Sequence, residues 1–217
     1  MNHPTDERCI YLVFSSTTNA MGRIIRSVTH YEYNHVSVSL SPTLSPMYSF
    51  ARHYKDTPLY GGFVNEDAQR FSGDAKHGTA RVTVCAVPVN DRQLRRAKQY
   101  IDKIKRQREQ YIYNTVSAMT FPLGFEVRIG RAMTCIEFAI EVLHRAAAPD
   151  SNRIPTFCTI RTLEELYSPY AIYTGPFPSA GVDADSDYFE RHSHAYRASR
   201  TLGNFGKLFC RMLSRRG

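Results

Sequence analysis

The chain has 217 residues, of which 42% are apolar, with 14 tyrosines and 12 phenylalanines. This length and apolar content are typical of one globular domain with a short appendage and exclude a disordered chain. The formal net charge is +8, but residues 191–217 hold seven basic residues and no acidic one, which leaves 21 basic against 20 acidic residues in 1–190. A nearly neutral body argues against nucleic-acid binding and moves the question of a charged partner to the tail.

The first half of the chain predicts three strands and a helix. Residues 9–16 form a short apolar run that predicts a buried strand, and residues 19–28 carry apolar side chains at helical spacing. Residues 35–40 alternate polar and apolar, residues 47–50 form a second short run, and two Ser-Pro pairs lie between them. That pattern predicts a β-hairpin. Residues 54–62, with a proline and two adjacent glycines, predict a loop.

The second half of the chain predicts a strand, then two long helices and one short helix, and then a last strand. The strand covers 81–89, and Asn90 or Asp91 caps the helix after it. The inner stripe of that helix consists of Leu94, Ala97, Ile101, Ile104, Arg108 and Tyr111. Helices are also predicted over 135–147 and 161–167, with a strand over 171–175. Pro, Gly, Ser and Asp dominate from residue 176, so the expected division is a domain over 8–175 and a basic extension over 176–217.

The cysteines indicate neither a disulfide framework nor a metal site. They are Cys9, Cys85, Cys135, Cys158 and Cys210. Their number is odd, their spacing is wide, no CxxC occurs, and the histidines show no ligand spacing, so we expect no metal and no cofactor. No apolar run approaches the roughly 20 residues of a spanning helix, and the N-terminus lacks a signal-peptide pattern. We therefore expect a cytoplasmic protein.

Cys135 has a setting that the other thiols lack. Thr134 is a candidate N-cap, which places Cys135 in the first turn of a predicted helix. Free N–H groups and the positive end of the helix dipole favour a thiolate there. A reactive thiolate also needs a base, and His35 opens a predicted strand from which an imidazole can be oriented. The spacing alone leaves open the alternative that both residues are structural.

The motifs YNHVSVSL, MYSFAR with the following GGF, and TCIEFAIEVL occur in this order over residues 10–175. In order and spacing the chain resembles the permuted papain-fold cysteine hydrolases. These are the YiiX/YaeF-like branch of the NlpC-related superfamily, which is also related to lecithin retinol acyltransferase. In that branch the histidine strand precedes the cysteine helix, as here. The resemblance implies an α+β, circularly permuted papain-like fold, with an antiparallel sheet packed against the nucleophile helix.

The resemblance also implies a cysteine-dependent hydrolase or acyltransferase. Cys135 would attack an amide, ester or thioester, His35 would act as the base, and the substrate would be a small molecule, a peptide or a lipid acyl group. Relatives use a third polar residue on the next strand to orient the imidazole, and that pattern falls on Ser49. Tyr48, a backbone carbonyl or water are alternatives, since serine departs from the pattern. The rival hypothesis is a non-enzymatic binding module on the same fold.

The tail predicts an amphipathic segment. Its apolar residues recur at spacings of three and four: Leu202, Phe205, Leu208, Phe209, Met212 and Leu213. Lys207, Arg211 and Arg215 fall largely on the other side. A basic amphipathic segment is typical of peripheral contact with a membrane or with an acidic partner, here through residues 200–217. The alternatives are that the stripe packs on the body of the domain or that the segment is disordered.

Overall fold

The computed structural model describes residues 8–16, 31–57, 59–66, 70, 80–177 and 186–214. The helix expected over 19–28 lies outside these residues. The strands are β1 (Cys9–Ser15), β2 (His35–Ser39), β3 (Met47–Arg52), β4 (Gly61–Glu66), β5 (Arg81–Pro88), β6 (Ile112–Tyr113), β7 (Ala132–Met133) and β8 (Ala171–Pro176). The α-helices are α1 (Asp91–Arg106), α2 (Thr115–Thr120), α3 (Cys135–Ala146), α4 (Ile160–Tyr167) and α5 (His194–Leu213). None of the described helices is long and apolar enough to cross a bilayer.

An antiparallel sheet of six strands, in the order β4-β3-β2-β1-β5-β8, organises the fold. The central strand β1 is an apolar run whose alternate side chains, Ile10, Leu12 and Phe14, enter the main core. The predicted hairpin is present, because β2 pairs with β3 over Val38–Tyr48 and Ser39–Met47. The protein is therefore α+β with an antiparallel sheet, as the sequence predicts.

Helices α1 and α3 pack on each other and contribute to the same core as β1. The buried positions of α1, Ala97, Ile101 and Ile104, belong to the predicted inner stripe. Helix α3 buries one face along its length, including Phe138 and Val142. This packing fixes the start of α3 against the sheet, since α3 also contacts β2 and β3.

The structure corrects two boundaries. Residues Gly61 and Gly62, predicted in a loop, begin β4. A Cβ at Gly61 would collide with Ala51 O and one at Gly62 with Tyr111 O, so the glycines permit a close backbone approach rather than a turn. The helix α1 ends before Arg108 and Tyr111, because Tyr111 is extended and leads into β6.

The tail forms α5 and packs on the body of the chain. Leu208 is buried with Ile112, Ile129 and Ala132. The guanidinium of Arg211 donates to three backbone carbonyls, those of Gly130, Arg131 and Gln110. The stripe predicted as one unit is divided, because Leu202, Phe209 and Leu213 remain exposed while Leu208 is buried. Arg215 lies outside the described residues.

Candidate active site

Cys135 is the first residue of α3, and a capping box holds that end of the helix. Thr134 Oγ1 accepts a hydrogen bond from Glu137 N, and the carboxylate of Glu137 accepts one from Thr134 N. The sequence Thr-x-x-Glu produces this arrangement because each side chain satisfies a backbone donor left unpaired at the helix start. The Cys135 side chain is buried at this end, beside backbone N–H groups without intrahelical partners.

The structure brings His35 to Cys135. His35 is the first residue of β2, and its imidazole lies near enough to Cys135 for that thiol to help raise the pKa of His35. Its Nε2 atom lies 2.9 Å from Oε2 and 3.1 Å from Oε1 of Glu66. Because Nε2 is taken by the carboxylate, we infer that Nδ1 faces the sulfur. The imidazole therefore bridges a carboxylate and a thiol in a buried site.

Glu66 determines the charge of this histidine. Burial by itself lowers the pKa of His35, but the Glu66 carboxylate and then Cys135 outweigh it and raise that pKa to about 10. For Glu66, burial raises the pKa, whereas His35, then Arg70 and the hydroxyl of Ser37 lower it, and the result is below its ordinary value. Ser37 Oγ donates to Glu66 Oε2 at 2.5 Å. At neutral pH the two groups form a buried imidazolium–carboxylate pair.

The residues that the sequence indicated for the third position lie elsewhere. Ser49 Oγ donates to Val36 O at 3.0 Å, and the Tyr48 ring stacks on Phe63. The group bonded to His35 Nε2 is Glu66, at the end of β4 rather than on β3. In the structure the imidazole is contacted by a carboxylate from β4, one strand beyond the strand that carries Ser49 and Tyr48.

Glu66 was missed because β4 was not predicted as a strand. The signal available was the run GGFVNE, in which one acidic residue ends an apolar segment. A carboxylate that ends a buried strand needs a positively charged or hydrogen-bonding partner, and His35 is that partner here.

A pocket of about 260 Å³ opens onto Cys135. Its walls are mostly apolar and aromatic, with Tyr31, Tyr33, Tyr113 and Phe121 among them. Burial and, after it, the neighbouring Cys135 raise the pKa of Tyr113 well above its ordinary value, so its phenol stays neutral and able to donate a hydrogen bond. The sulfur thus lies at a mostly apolar pocket that a carbonyl compound can enter.

The other thiols have different settings. Cys85 and Cys158 are buried, and burial raises the pKa of each to about 12. Cys9 is half-buried and Cys210 is exposed. Among the residues that the structure describes, no cluster of three or more His, Cys, Asp or Glu side chains is placed to hold a metal ion. Only Cys135 combines a helix start, a histidine and a pocket.

Comparison of the chain with protein-family models, with curated proteins and with solved structures finds no match.

Proposed function

We propose that the protein is a cysteine-dependent hydrolase or acyltransferase on a circularly permuted papain-like fold. The observation that carries this proposal is the chain of contacts from Glu66 to His35 to Cys135, with the thiol at a helix start and at a pocket. Nucleophile, base and orienting group are then supplied by three different elements, which is the arrangement that activates a thiol for acyl transfer.

In the proposed reaction, His35 holds the proton of an imidazolium–thiolate pair with Cys135. The sulfur attacks the carbonyl carbon of an amide, ester or thioester, and the electron pair moves to the carbonyl oxygen. The backbone N–H of Cys135 at the helix start stabilises that oxyanion. Collapse of the intermediate expels the leaving group, which takes the proton from His35. Water or another acceptor then gives a proton to His35 and attacks the acyl-enzyme, which frees the thiolate.

Glu66 acts in this scheme as a positioning residue. Its two oxygens hold the ring of His35 in one orientation and stabilise the imidazolium. Ser37 in turn orients the carboxylate. This second set of contacts keeps the ring from rotating away from the sulfur between the two half-reactions.

The pocket favours an apolar acyl group. Its mostly apolar lining suits the acyl part of a peptide, a small ester or a lipid, and no cofactor enters the scheme. Arg161, the basic residue that lines this pocket, is already paired with Glu165, so among the described residues the pocket has no unpaired positive charge to select an anionic substrate. Nucleic acid does not fit a pocket of this size and apolarity.

We also propose that residues 200–217 make a peripheral contact with a membrane. The specific observation is that Leu202, Phe209 and Leu213 of α5 are exposed, on a helix that also carries Arg200, Lys207 and Arg211. Apolar side chains flanked by basic ones suit an anionic lipid surface. Cosedimentation with anionic vesicles that is lost at high salt and on Phe209→Ser supports this contact, and no cosedimentation at low salt contradicts it.

The central test is site-resolved alkylation. In a Cys210→Ser background, which removes the exposed thiol, iodoacetamide at pH 7 should modify Cys135 first, as read by peptide mass spectrometry. His35→Ala should slow that modification at least tenfold, because the thiolate loses its partner. Equal, slow modification of Cys135 and Cys85 would contradict the proposal, as would a His35→Ala variant that reacts at the same rate.

A second measurement separates an enzyme from a binding module on the same fold. Incubation with p-nitrophenyl esters of increasing chain length should release p-nitrophenolate and leave an acyl group on Cys135, seen as added mass on its peptide. Cys135→Ala, at the same concentration, should give neither signal. Ester binding without acylation of Cys135 would favour the binding module.

A further inference from the structure

A second cavity, a groove of about 870 Å³, lies apart from the Cys135 pocket and has no lining residue in common with it. Three parts of the chain form it: the connection between β3 and β4, the turn after α1, and the helix α5. The proposed acyl-transfer mechanism uses none of these residues. The groove therefore calls for an explanation of its own.

Basic side chains outnumber acidic ones in this groove. Arg108, Arg200 and Lys207 line it, with Glu109 as the one carboxylate among its lining residues. In the described part of the chain, none of the three basic groups has an ion pair with a carboxylate. Elsewhere on the surface, arginines such as Arg145 and Arg161 do have such pairs. The groove thus concentrates positive charge without neutralising it.

Two tyrosine rings hold the guanidinium group of Arg200 in place. The Arg200 guanidinium lies 5.7 Å from the ring centroid of Tyr60 and 5.0 Å from that of Tyr196. Behind the groove, Arg70 donates to the carbonyl of His53 at 3.3 Å and lies over another tyrosine ring. Cation–π contacts of this kind fix the direction of a guanidinium at low cost in side-chain entropy.

The pKa of His53 reflects the positive charge of the groove. Its half-buried ring packs 4.8 Å from the Tyr60 ring, inside the groove. Burial lowers the pKa of His53, and Arg70, Arg108 and Arg200 lower it further, to about 4. The imidazole is therefore neutral at pH 7, so it can donate a hydrogen bond from one nitrogen without adding to the repulsion. A neutral donor among arginines suits an anion that has several acceptor oxygens.

We propose that this groove binds a phosphate-bearing ligand, with Arg108 and Arg200 contacting the phosphate, Lys207 at its edge and His53 as a further donor. Arginine binds phosphate through two parallel hydrogen bonds, and a phosphate group has further anionic oxygens for a second guanidinium and a neutral donor. The tyrosine faces leave room for the organic part of the ligand. The same phosphate chemistry can come from a soluble phosphoester or pyrophosphate, or from a phosphorylated lipid headgroup.

Isothermal titration with sodium pyrophosphate at fixed ionic strength tests the proposal on the full chain. We expect saturable binding that weakens about tenfold or more in Arg108→Gln and in Arg200→Gln. Arg95→Gln, an exposed residue of α1 outside the groove, removes the same charge and should leave the affinity within twofold. Circular dichroism verifies that each variant folds. No saturable binding, or an equal loss in Arg95→Gln, would overturn the proposal.

A vesicle experiment identifies the source of the phosphate. Phosphatidylcholine vesicles with and without phosphatidylinositol 4,5-bisphosphate are sedimented with the protein, and pyrophosphate is added as a competitor. Lipid-dependent sedimentation that pyrophosphate and Arg200→Gln both abolish assigns the groove to a lipid headgroup. Pyrophosphate binding without sedimentation assigns it to a soluble ligand. If Arg200→Gln leaves the sedimentation unchanged and pyrophosphate does not bind, the groove is not a phosphate site.

Discussion

Two histidines, His35 at the start of β2 and His53 just after β3, have opposite protonation, and the charges around them account for it. Burial lowers the pKa of both His35 and His53. At His35 the Glu66 carboxylate reverses that effect and the pKa rises to about 10, whereas at His53 the nearby arginines add to it and the pKa falls to about 4. Burial alone therefore does not predict which histidine is charged, and the sign of the nearest ionic neighbour decides.

The difference also separates two kinds of site. The pocket at Cys135 is small, about 260 Å³, and mostly apolar, which limits competing water at a reacting sulfur. The groove at His53 is larger, about 870 Å³, is lined mostly by polar groups and holds more basic than acidic side chains, which suits the capture of an anion. Each site can be tested by removing a charge that determines the protonation of its histidine, and the expected effects differ in size.

The largest effect is expected from Glu66→Gln. This change removes the charge that holds the proton on His35 in a buried site, so we expect the free energy of unfolding at pH 6 to fall by about 3–5 kcal/mol. Alkylation of Cys135 at pH 7 should slow at least tenfold. Ser49→Ala, a change on the adjacent strand, is the matched control. It should cost only about 1 kcal/mol and leave the alkylation rate within twofold, because Ser49 bonds a backbone carbonyl. If Ser49→Ala slows the alkylation as much as Glu66→Gln does, Ser49 rather than Glu66 alone orients the imidazole.

The sequence predicted Cys135 and its cap because a threonine before the helix and the apolar face of α3 are local signals. It predicted His35 as the partner because the order of the motifs resembles a family. Glu66 was not predictable in the same way. Its contact with His35 joins residues 31 apart in the sequence, across an intervening strand. In addition, the two adjacent glycines at the start of β4 are typical of a turn, so the strand was not predicted. The groove depends on where α5 packs, which the periodicity of α5 does not specify.

The second effect is a pH dependence of stability with a defined sign. His35 has a folded pKa of about 10 against an ordinary 6.5, so its contribution is complete below pH 6.5 and is lost as pH rises toward 10. Glu66 has a lowered pKa against an ordinary 4.5, so its contribution is present above pH 4.5 and is lost as pH falls below that. Urea unfolding should therefore give a maximum of stability between pH 4.5 and 6.5, and Glu66→Gln should flatten the decline on both sides. An unchanged profile in the variant would show that other groups cause the dependence.

A smaller effect on folding is expected from Cys135→Ala. Alanine is well tolerated in the first turn of a helix, and the Thr134–Glu137 capping box stays intact. We expect the free energy of unfolding to change by about 1 kcal/mol or less, while acylation by p-nitrophenyl esters disappears. Leu143→Ala, a fully buried residue of the same helix, is the contrasting control and should cost about 2–5 kcal/mol. A loss for Cys135→Ala as large as that for Leu143→Ala would identify Cys135 as a core residue with no catalytic task.

The smallest effect concerns His53, the second of the two histidines compared above. Arg200→Gln removes one of the positive charges that lower the pKa of His53, so we expect that pKa to rise from about 4 by roughly half a unit or more. Two-dimensional NMR of the imidazole resonances, assigned with His53→Gln, measures the shift, and His35 serves as an internal reference that should not move. Saturating pyrophosphate should raise the pKa of His53 in the unsubstituted protein, since an anion between the arginines reverses the local potential. If Arg200→Gln leaves the pKa of His53 unchanged, burial alone explains the low value, and the contrast between the two histidines would then rest on Glu66 only.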